Sequence, residues 1–361
     1  MKRVAIIVPG GFGTGKDNLG IPALEQVVKR LSKEFGISVF QLYRVNEDYQ
    51  PENFKLFGFR KTNKVVQYLR LFRCFRREHY KEKFDVVHGF WAWPCGFCAV
   101  LFGKIFKIKS VVSVQGGDGS SVRSINYGYL DLFFYRQVIL WSLHEAAEAT
   151  VLTRFLSDNL KKAGLKRDPR IVPFGVDNEL FSYREKSLAP CIQFIHVGNF
   201  NSVKDQGTLL RAFAMIKKSI QCRLTMIGEG NNELNILKLV KELDVHEDVT
   251  VLHHMSYSKL PKQYQASDIL LHTSLSEGQG VVIAEAMSCG LLVCGTNVGL
   301  LYDLPDACIS VEVKDHVGLA TKILALINDQ AQMNSLRTNA KNWAVTHDVH
   351  WTVSEFGKLY Y

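Results

Sequence analysis

Residues 266–290 carry the clearest signal of the fold and read Ala266-Ser-Asp-Ile-Leu-Leu-His-Thr-Ser-Leu-Ser-Glu-Gly-Gln-Gly-Val-Val-Ile-Ala-Glu-Ala-Met-Ser-Cys-Gly290. Their first part, from Asp268 to Ser274, is apolar enough to be a buried strand of a parallel sheet. A glycine-rich turn follows, and then a predicted helix. Gly278 and Gly280 let backbone N–H groups come close to a ligand, and the helix N-terminus adds donors and a positive dipole end. The segment therefore predicts a phosphate-binding corner of an α/β fold.

Two carboxylates flank this turn, Glu277 inside it and Glu285 eight residues further on. Glu285 lies about a turn and a half into the helix, where it could accept both hydroxyls of a ribose. Glu277 could reach a sugar attached beyond the phosphates. Acidic residues also complement the dipole of any helix start, so the pair alone is equally consistent with a structural corner.

Strands and helices alternate along the chain, and after a turn-rich segment at 173–190 the pattern starts again. Such alternation is typical of parallel sheets covered by helices. We therefore predict two doubly wound α/β domains. The predicted strands are 4–8, 37–42, 84–88, 110–114, 149–153, 171–172, 192–197, 223–227, 249–252, 268–274 and 291–294, and the predicted helices include 22–34, 206–218, 233–243, 259–266 and 317–329.

Size and composition favour an ordinary globular protein of 361 residues, with 47% hydrophobic and 22% charged residues. The eight cysteines are scattered through apolar segments, which favours buried thiols in a reducing cytosol. The start of the chain is predicted to be a strand and not a signal peptide. The longest apolar run, 90–102, is too short to span a membrane.

The net charge of +9 is concentrated in one segment. Residues 60–83 carry a net charge of +7, and apolar residues recur among the basic ones at helical spacing. This pattern predicts a basic amphipathic helix, which either lies on an anionic membrane surface or packs its apolar stripe inward. No nucleic-acid-binding module accompanies the charge, so a nucleic-acid partner is not expected.

Two other motifs carry less information. Gly10-Gly-Phe-Gly-Thr-Gly15-Lys16-Asp17 has nearly the spacing of an ATPase phosphate loop, but Asp17 stands where the magnesium-binding hydroxyl belongs. We interpret it as a glycine-rich first turn in which Gly11 and Gly13 let a ligand approach. Cys95 and Cys98 form a lone CxxC without a second pair of ligands, which favours packing over metal binding.

A second polar corner follows the predicted strand 192–197, where Gly198 and Asn199 lead to Lys204. A lysine at the carboxyl end of a strand can neutralise a diphosphate leaving group. Together with the carboxylate pair, it places a cation, a helix N-terminus and two carboxylates at the edge of the sheet where ligands bind in such folds.

With these residues the chain resembles the retaining, nucleotide-sugar-dependent glycosyltransferases of family four, the "group 1" enzymes, over nearly its whole length. The strongest match is 266–290, which looks like the family's E-x7-E signature. Further matches are Val197-Gly198 with Lys204, Ile227-Gly-Glu-Gly230, Gly175-Val-Asp177 with Phe181, Gly116-Gly-Asp118 and the C-terminal segment 351–360.

The resemblance implies a GT-B fold, in which two Rossmann-like domains face each other across a cleft. Residues 1–172 would be the acceptor-binding domain and 173–346 the nucleotide-sugar-binding domain. The last segment, 347–361, would form a helix that packs back on the first domain.

The resemblance also implies roles. Glu285 would bind the donor ribose and Lys204 the diphosphate, and Glu277 would act on the transferred sugar. Backbone contacts to sugar and phosphate would come from Gly278, Gln279, Gly280 and Val281.

Two positions depart from the family pattern. Asn199 stands where arginine is usual and Gln115 where histidine is common. Asn199 stays a candidate substrate-binding residue, and Gln115 and Asp118 stay candidate catalytic residues beside Glu277.

From the residues and the resemblance we expect a cytoplasmic hexosyltransferase, with peripheral attachment to the inner face of the membrane if residues 60–83 contact lipid. It would move a hexosyl unit from a UDP- or GDP-sugar to a glycan or lipid-linked glycan hydroxyl, without metal or cofactor. Two alternatives stay open: another GT-B enzyme such as a UDP-sugar epimerase, and a nucleotide-sugar-binding protein without turnover.

Overall fold

Two α/β units make up the chain in the computed structural model, which describes residues 1–14, 20–60, 62–253 and 255–361. Unit 1 comprises Met1–Ser121, Gly128–Phe174 and Val349–Tyr361, and unit 2 comprises Val122–Tyr127 and Gly175–Asp348. Each unit has a parallel sheet with helices, as the alternating sequence pattern predicts.

Strands and helices alternate through most of the first half of the chain. The strands are β1 (Arg3–Val8), β2 (Gly36–Gln41), β3 (Lys55–Gly58), β4 (Val86–Phe90), β5 (Lys109–Val114), β6 (Ser121–Val122), β7 (Tyr127–Gly128), β8 (Glu148–Val151) and β9 (Arg170–Ile171). The helices are α1 (Pro22–Leu31), α2 (Lys64–Lys81), α3 (Phe97–Phe106), α4 (Phe133–Glu145) and α5 (Arg154–Lys162).

The sheet of unit 1 runs in the order β3-β2-β1-β4-β5-β8-β9 among the described residues. Every neighbouring pair is parallel. The central strands β1 and β4 are buried along their whole length, which explains their apolar, β-branched runs. The strand order reverses between β1 and β4, so their carboxyl ends form the topological switch point of this unit.

The second half repeats the plan. Its strands are β10 (Ile192–Val197), β11 (Cys222–Ile227), β12 (Val249–Leu252), β13 (Ile269–His272), β14 (Leu292–Thr296) and β15 (Ile309–Val311). Its helices are α6 (Gln206–Lys217), α7 (Glu233–Glu242), α8 (Leu260–Gln265), α9 (Val281–Ser288), α10 (Leu300–Asp303), α11 (His316–Ile327) and α12 (Gln330–Thr346).

The sheet of unit 2 has the order β12-β11-β10-β13-β14-β15 among the described residues, again with parallel neighbours. Two hydrophobic clusters pack against its faces. One contains Phe194, Phe213 and Leu224, and the other contains Ile195 and Leu270. Burial on both faces explains the apolar runs of β10 and β13. The strand order reverses between these two strands, so this unit also has a switch point.

The last helix, α13 (Val349–Leu359), belongs to unit 1 although the chain reaches it from unit 2. Thr352 donates to the backbone oxygen of Pro173 at 2.8 Å, and the Tyr360 ring packs edge-on against Phe35 with centroids 5.2 Å apart. Tyr360 also hydrogen-bonds the buried His88 on β4 at 2.8 Å. These contacts fix the end of the chain to the sheet of unit 1.

The observed elements differ from the predicted ones at some ends. Helix α1 ends at Leu31 and not at 34, because Ser32 to Phe35 form a turn that leads into β2. Strand β4 is Val86–Phe90 instead of 84–88. The sequence does not predict β3, β6, β7, β15, α4, α10 and α12, which either are short or lack a clear period.

No helix in the described part of the chain is both long enough and apolar enough to cross a membrane. Cys95 and Cys98 are buried, and burial raises the pKa of both thiols well above the ordinary value. This placement agrees with a packing role for the pair, which the sequence favours.

Candidate active site

The candidate site lies at the switch point of unit 2, where the chain leaves β10 and β13. Lys204 lies in the loop after β10, and Glu277 lies in the turn after β13. The two strands are adjacent and parallel, so their following loops meet at one edge of the sheet. Thr273 joins the loops, because its hydroxyl donates to the backbone oxygens of Lys204 at 3.2 Å and Asp205 at 3.0 Å.

Glu277 is held by three polar groups that all reach the same carboxylate oxygen, Oε1. Lys204 Nζ lies 2.5 Å from it, Ser274 Oγ 2.6 Å and His272 Nε2 3.0 Å. His272 is the last residue of β13 and is fully buried, while the Glu277 side chain is 13% exposed. Among the described residues, all three of these contacts fall on Oε1 and none on the second oxygen, Oε2.

The surroundings set the charge of this cluster. Burial by itself raises the pKa of Glu277, but the charge of Lys204 and the hydrogen bonds from His272 and Lys204 outweigh it and hold the pKa well below the ordinary value. Burial lowers the pKa of His272, more than the neighbouring Glu277 raises it. At neutral pH the cluster is therefore an ionised carboxylate between an ammonium group and a neutral imidazole.

The glycine turn presents backbone groups beside this cluster. Gly280 has φ +78° and precedes α9, and a Cβ atom there would lie 2.6 Å from Ile283 Cδ1. The position therefore requires glycine. The carbonyl of Gln279 accepts from the Leu300 backbone N–H at 2.9 Å, which fixes the turn from the other side. Val281 is the first residue of α9, so the turn ends at a helix N-terminus, as predicted.

Glu285 is buried inside α9, with 3% of the residue exposed. Tyr264 donates its hydroxyl to Glu285 Oε2 at 2.8 Å, and Tyr257 also hydrogen-bonds the carboxylate. Burial raises the pKa of Glu285 to about 7, although the two tyrosine hydrogen bonds oppose the shift. Its carboxylate therefore titrates near neutral pH, unlike that of Glu277.

The loop after β10 contains Asn199, which is exposed. Its backbone oxygen accepts from Gln206 Nε2 at 3.0 Å, and Gln206 Nε2 also lies 3.5 Å from the buried His196 Nε2. Lys204 is held in place by Asn201, whose side-chain oxygen accepts from the Lys204 backbone N–H at 3.2 Å. Asn199 thus contributes a backbone group to the loop, and its side chain faces solvent.

In unit 1, Asp118 is buried, and its carboxylate stabilises the loop after β5. Its carboxylate is fully buried and accepts from the backbone N–H groups of Ala92 at 2.6 Å, Gly116 at 2.8 Å and Gln115 at 3.1 Å. Burial raises the pKa of Asp118, against the effect of these hydrogen bonds. These contacts show that Asp118 positions the loop after β5, and its predicted catalytic role stays a prediction.

Gln115 differs from Asp118 because one polar atom of its side chain makes no hydrogen bond to a described residue. The side-chain nitrogen Nε2 is buried and has no hydrogen-bond partner among the residues that the structure describes. An unpaired buried amide is costly in an empty protein, so this group is suited to a ligand hydroxyl. Gln115 therefore stays a candidate site residue.

The glycine-rich first turn has a packing explanation. A Cβ atom on Gly11 would lie 2.9 Å from Ile21, and a Cβ atom on Gly13 would collide with the Tyr49 ring. Gly11 has φ +122° and Gly13 φ +54°, which also favour glycine. The rest of the motif, 15–17, lies outside the described residues. Packing against Ile21 and Tyr49 therefore accounts for both glycines, and the predicted approach of a ligand to Gly11 and Gly13 stays a prediction.

Sequence reasoning misses the residues that support the two carboxylates. It treats His272 only as part of a strand and assigns no role to Ser274 or Tyr264. A polar residue at the end of an apolar strand is a usable signal for His272, because such positions face the ligand edge of the sheet. Tyr264 gives no such signal, since its contact with Glu285 depends on how α8 packs against α9.

Comparison with known proteins agrees with this geometry. The family of "Glycosyl transferases group 1" matches residues 184–343, and "Glycosyltransferase Family 4" matches residues 24–180. An N-acetyl-alpha-D-glucosaminyl L-malate synthase from Bacillus anthracis is 25% identical over 72% of this chain and 70% of its own. The O-antigen biosynthesis glycosyltransferase WclY from Escherichia coli is 22% identical over 92% of this chain and 91% of its own.

Two solved structures share the whole fold. Sucrose-phosphate synthase from Thermosynechococcus elongatus superposes with a TM-score of 0.79 at 19% identity, covering 100% of this chain and 98% of its own. Anabaena HepE in complex with UDP and glucose gives a TM-score of 0.75 at 17% identity, covering 99% and 98%. The two family matches lie side by side along the chain and the fold is shared end to end, so this chain belongs to the group 1 glycosyltransferases and has the GT-B fold.

Proposed function

We propose that the chain is a retaining hexosyltransferase that uses a UDP- or GDP-sugar as donor and a glycan or lipid-linked glycan hydroxyl as acceptor. The observation that carries this proposal is the Lys204–Glu277 pair at the switch point of unit 2. An O-antigen enzyme among the relatives supports a role in cell-surface polysaccharide or lipopolysaccharide synthesis. The complex of HepE with UDP and glucose supports a nucleotide sugar as donor.

The donor diphosphate would bind between Lys204 and the N-terminus of α9. The Lys204 ammonium group carries three N–H donors, and its bond to Glu277 uses one of them, so further donors can reach phosphate oxygens. The backbone N–H groups of the 278–281 turn and the helix dipole add to this attraction. Glu285 would accept the ribose hydroxyls once it is ionised.

Glu277 would act on the transferred sugar as a fixed negative charge. Its low pKa excludes it as a proton donor at neutral pH, because the carboxylate stays ionised. When the bond between sugar C1 and the diphosphate oxygen breaks, the electron pair leaves with the diphosphate and positive charge develops on the sugar. Lys204 would stabilise the first charge and Glu277 Oε2 the second. The acceptor oxygen then bonds to C1 on the same face, and its proton passes to the departing phosphate.

We propose that transfer needs no metal and no cofactor, since Lys204 and the helix N-terminus neutralise the leaving group. We also propose a cytoplasmic protein that attaches peripherally to an anionic membrane through residues 60–83. The side-chain amide of Gln115 is a further candidate contact for a substrate hydroxyl.

Two substitutions separate nucleotide binding from transfer. We expect Glu277→Ala to abolish donor turnover while the Kd for the nucleotide changes less than about threefold, because Glu277 contacts the sugar and not the nucleotide. We expect Glu285→Ala to weaken nucleotide binding by about tenfold or more, because two hydroxyl contacts are lost. Isothermal titration with UDP and GDP measures binding, and NMR of donor turnover with and without EDTA measures transfer.

Glu247→Ala is the matched control, since its side chain is 84% exposed and lies in the same unit. Unchanged turnover in both site variants would contradict the proposal. The anomer of the released sugar distinguishes the alternatives: an α product from an α donor supports retention, an epimerised nucleotide sugar indicates an epimerase, and binding without any product indicates a binding protein.

A further inference from the structure

Unit 1 carries an open apolar groove between α2 and α3, of about 380 Å³. Its lining side chains come from both helices and from the Trp93–Pro94 turn, and include Leu69, Phe72, Phe97 and Ile105. Leu69 is 49% exposed and Ile105 57%. An apolar groove that is open to solvent is a candidate binding surface.

Exposed aromatic side chains extend this surface toward α4. The Trp93 ring contacts Tyr135 with centroids 5.5 Å apart, and Tyr135 contacts Phe134 at 5.7 Å. Phe133 and Phe134 at the start of α4 are 70% and 66% exposed. Large aromatic side chains that project from a surface are typical of proteins that insert into a membrane interface.

The same helix α2 supplies a strong positive charge beside the groove. Arg73 and Arg76 follow the groove residues Leu69 and Phe72 by four positions, so they continue the same helix face. Both arginines are exposed, as is Arg70, and none of the three forms an ion pair with a described residue. The charge is therefore free to attract an anionic partner.

We infer that the α2–α3 groove receives an acyl chain of a lipid in an anionic bilayer, while the arginines of α2 bind the phosphate headgroups. Positive charge at the rim and an apolar interior match an amphiphile with an anionic head. A second copy of this chain would bring the same positive face to the groove, and like charges would oppose that contact. The inference deepens the membrane attachment in the proposed function and does not depend on the transfer chemistry.

Vesicle sedimentation tests the two contributions separately. We compare the full chain on phosphatidylcholine vesicles with and without phosphatidylglycerol, and expect at least about tenfold stronger binding to the anionic vesicles. The triple variant Arg70→Gln, Arg73→Gln, Arg76→Gln should lose most of this preference. The groove variant Leu69→Gln, Ile105→Gln keeps every charge, and it should lower binding to anionic vesicles about tenfold as well.

Matched controls lie on unit 2. Leu234→Gln with Leu237→Gln removes two exposed leucines from α7, which are 81% and 39% exposed. Lys238→Gln, Lys241→Gln and Lys262→Gln together remove three exposed charges. Both controls should leave vesicle binding unchanged, and circular dichroism checks that all variants fold.

Several results would overturn the inference. If only the charge variant loses binding, the contact is electrostatic and the groove holds no chain. Equal binding to neutral and anionic vesicles would exclude the arginine contact. A dimer that sediments without lipid and disappears in the groove variant would show that a second copy occupies the face. The Kd for UDP should be unchanged in the same variants, so a loss of vesicle binding is distinct from a failure of the proposed donor site and transfer reaction.

Discussion

Among single residues, Glu285 should make the binding of UDP depend on pH. Its pKa near 7 means that about a tenth of the molecules carry the ionised group at pH 6 and about nine tenths at pH 8. If the ionised carboxylate binds the ribose, the Kd for UDP should be about tenfold higher at pH 6 than at pH 8. Isothermal titration with UDP at both pH values, on the wild type and on Glu285→Gln, checks this. UDP itself ionises in the same way in both experiments, so the difference between the two proteins reports the ionisation of Glu285.

The substitution Tyr264→Phe gives a second test of the pH dependence attributed to Glu285. The variant loses a hydrogen bond that favours the ionised form of Glu285, so the pKa should rise and the midpoint of binding should move to higher pH. A midpoint that does not move, or that moves down, would contradict the assignment. The raised pKa also means that the folded protein binds more protons than the unfolded chain between pH 4.5 and 7, so this group lowers stability as pH rises through that range.

Among the elements, the end of α13 is held in part by a buried hydrogen bond of Tyr360, the residue that follows the helix. Burial lowers the pKa of His88 to about 3, so the ring is neutral, and its Nδ1 pairs with the hydroxyl of Tyr360. Tyr360→Phe should leave that nitrogen unpaired and cost about 1–3 kcal/mol of unfolding free energy. Urea unfolding of the variant and the wild type measures this loss of unfolding free energy. Tyr361→Phe is the control, since Tyr361 is 75% exposed, and equal losses in both variants would refute the argument.

The helices and strands also show which elements can be predicted from the periodicity of the sequence. Strands β10 and β12 match the predicted bounds, because short β-branched runs between polar turns allow little else. Helix α4 is not predicted, because the exposed Phe133 and Phe134 are apolar at positions where an amphipathic helix would carry polar residues. Local pattern therefore finds elements whose apolar residues recur regularly and misses those in which they do not.

Across the whole molecule, the two units should respond differently to nucleotide. We expect UDP to slow amide exchange several-fold in the loops after β10 and β13, where Lys204 and Glu277 lie. Hydrogen-exchange mass spectrometry of the full chain with and without UDP measures this. The Glu285→Ala variant should show less protection at the same UDP concentration, and protection confined to unit 1 would contradict the site.

Local sequence was enough to establish the repeated α/β pattern, the glycine turn before α9 and the positions of Lys204, Glu277 and Glu285. Strand runs, turns and helix starts are set by neighbouring residues, so they can be predicted without the fold. The support of the two carboxylates depends instead on how separate elements pack. His272 and Ser274 hold one oxygen of Glu277, and Tyr264 donates to Glu285. Burial also arises only from that packing, so the opposite pKa shifts of two similar glutamates lie beyond any local pattern.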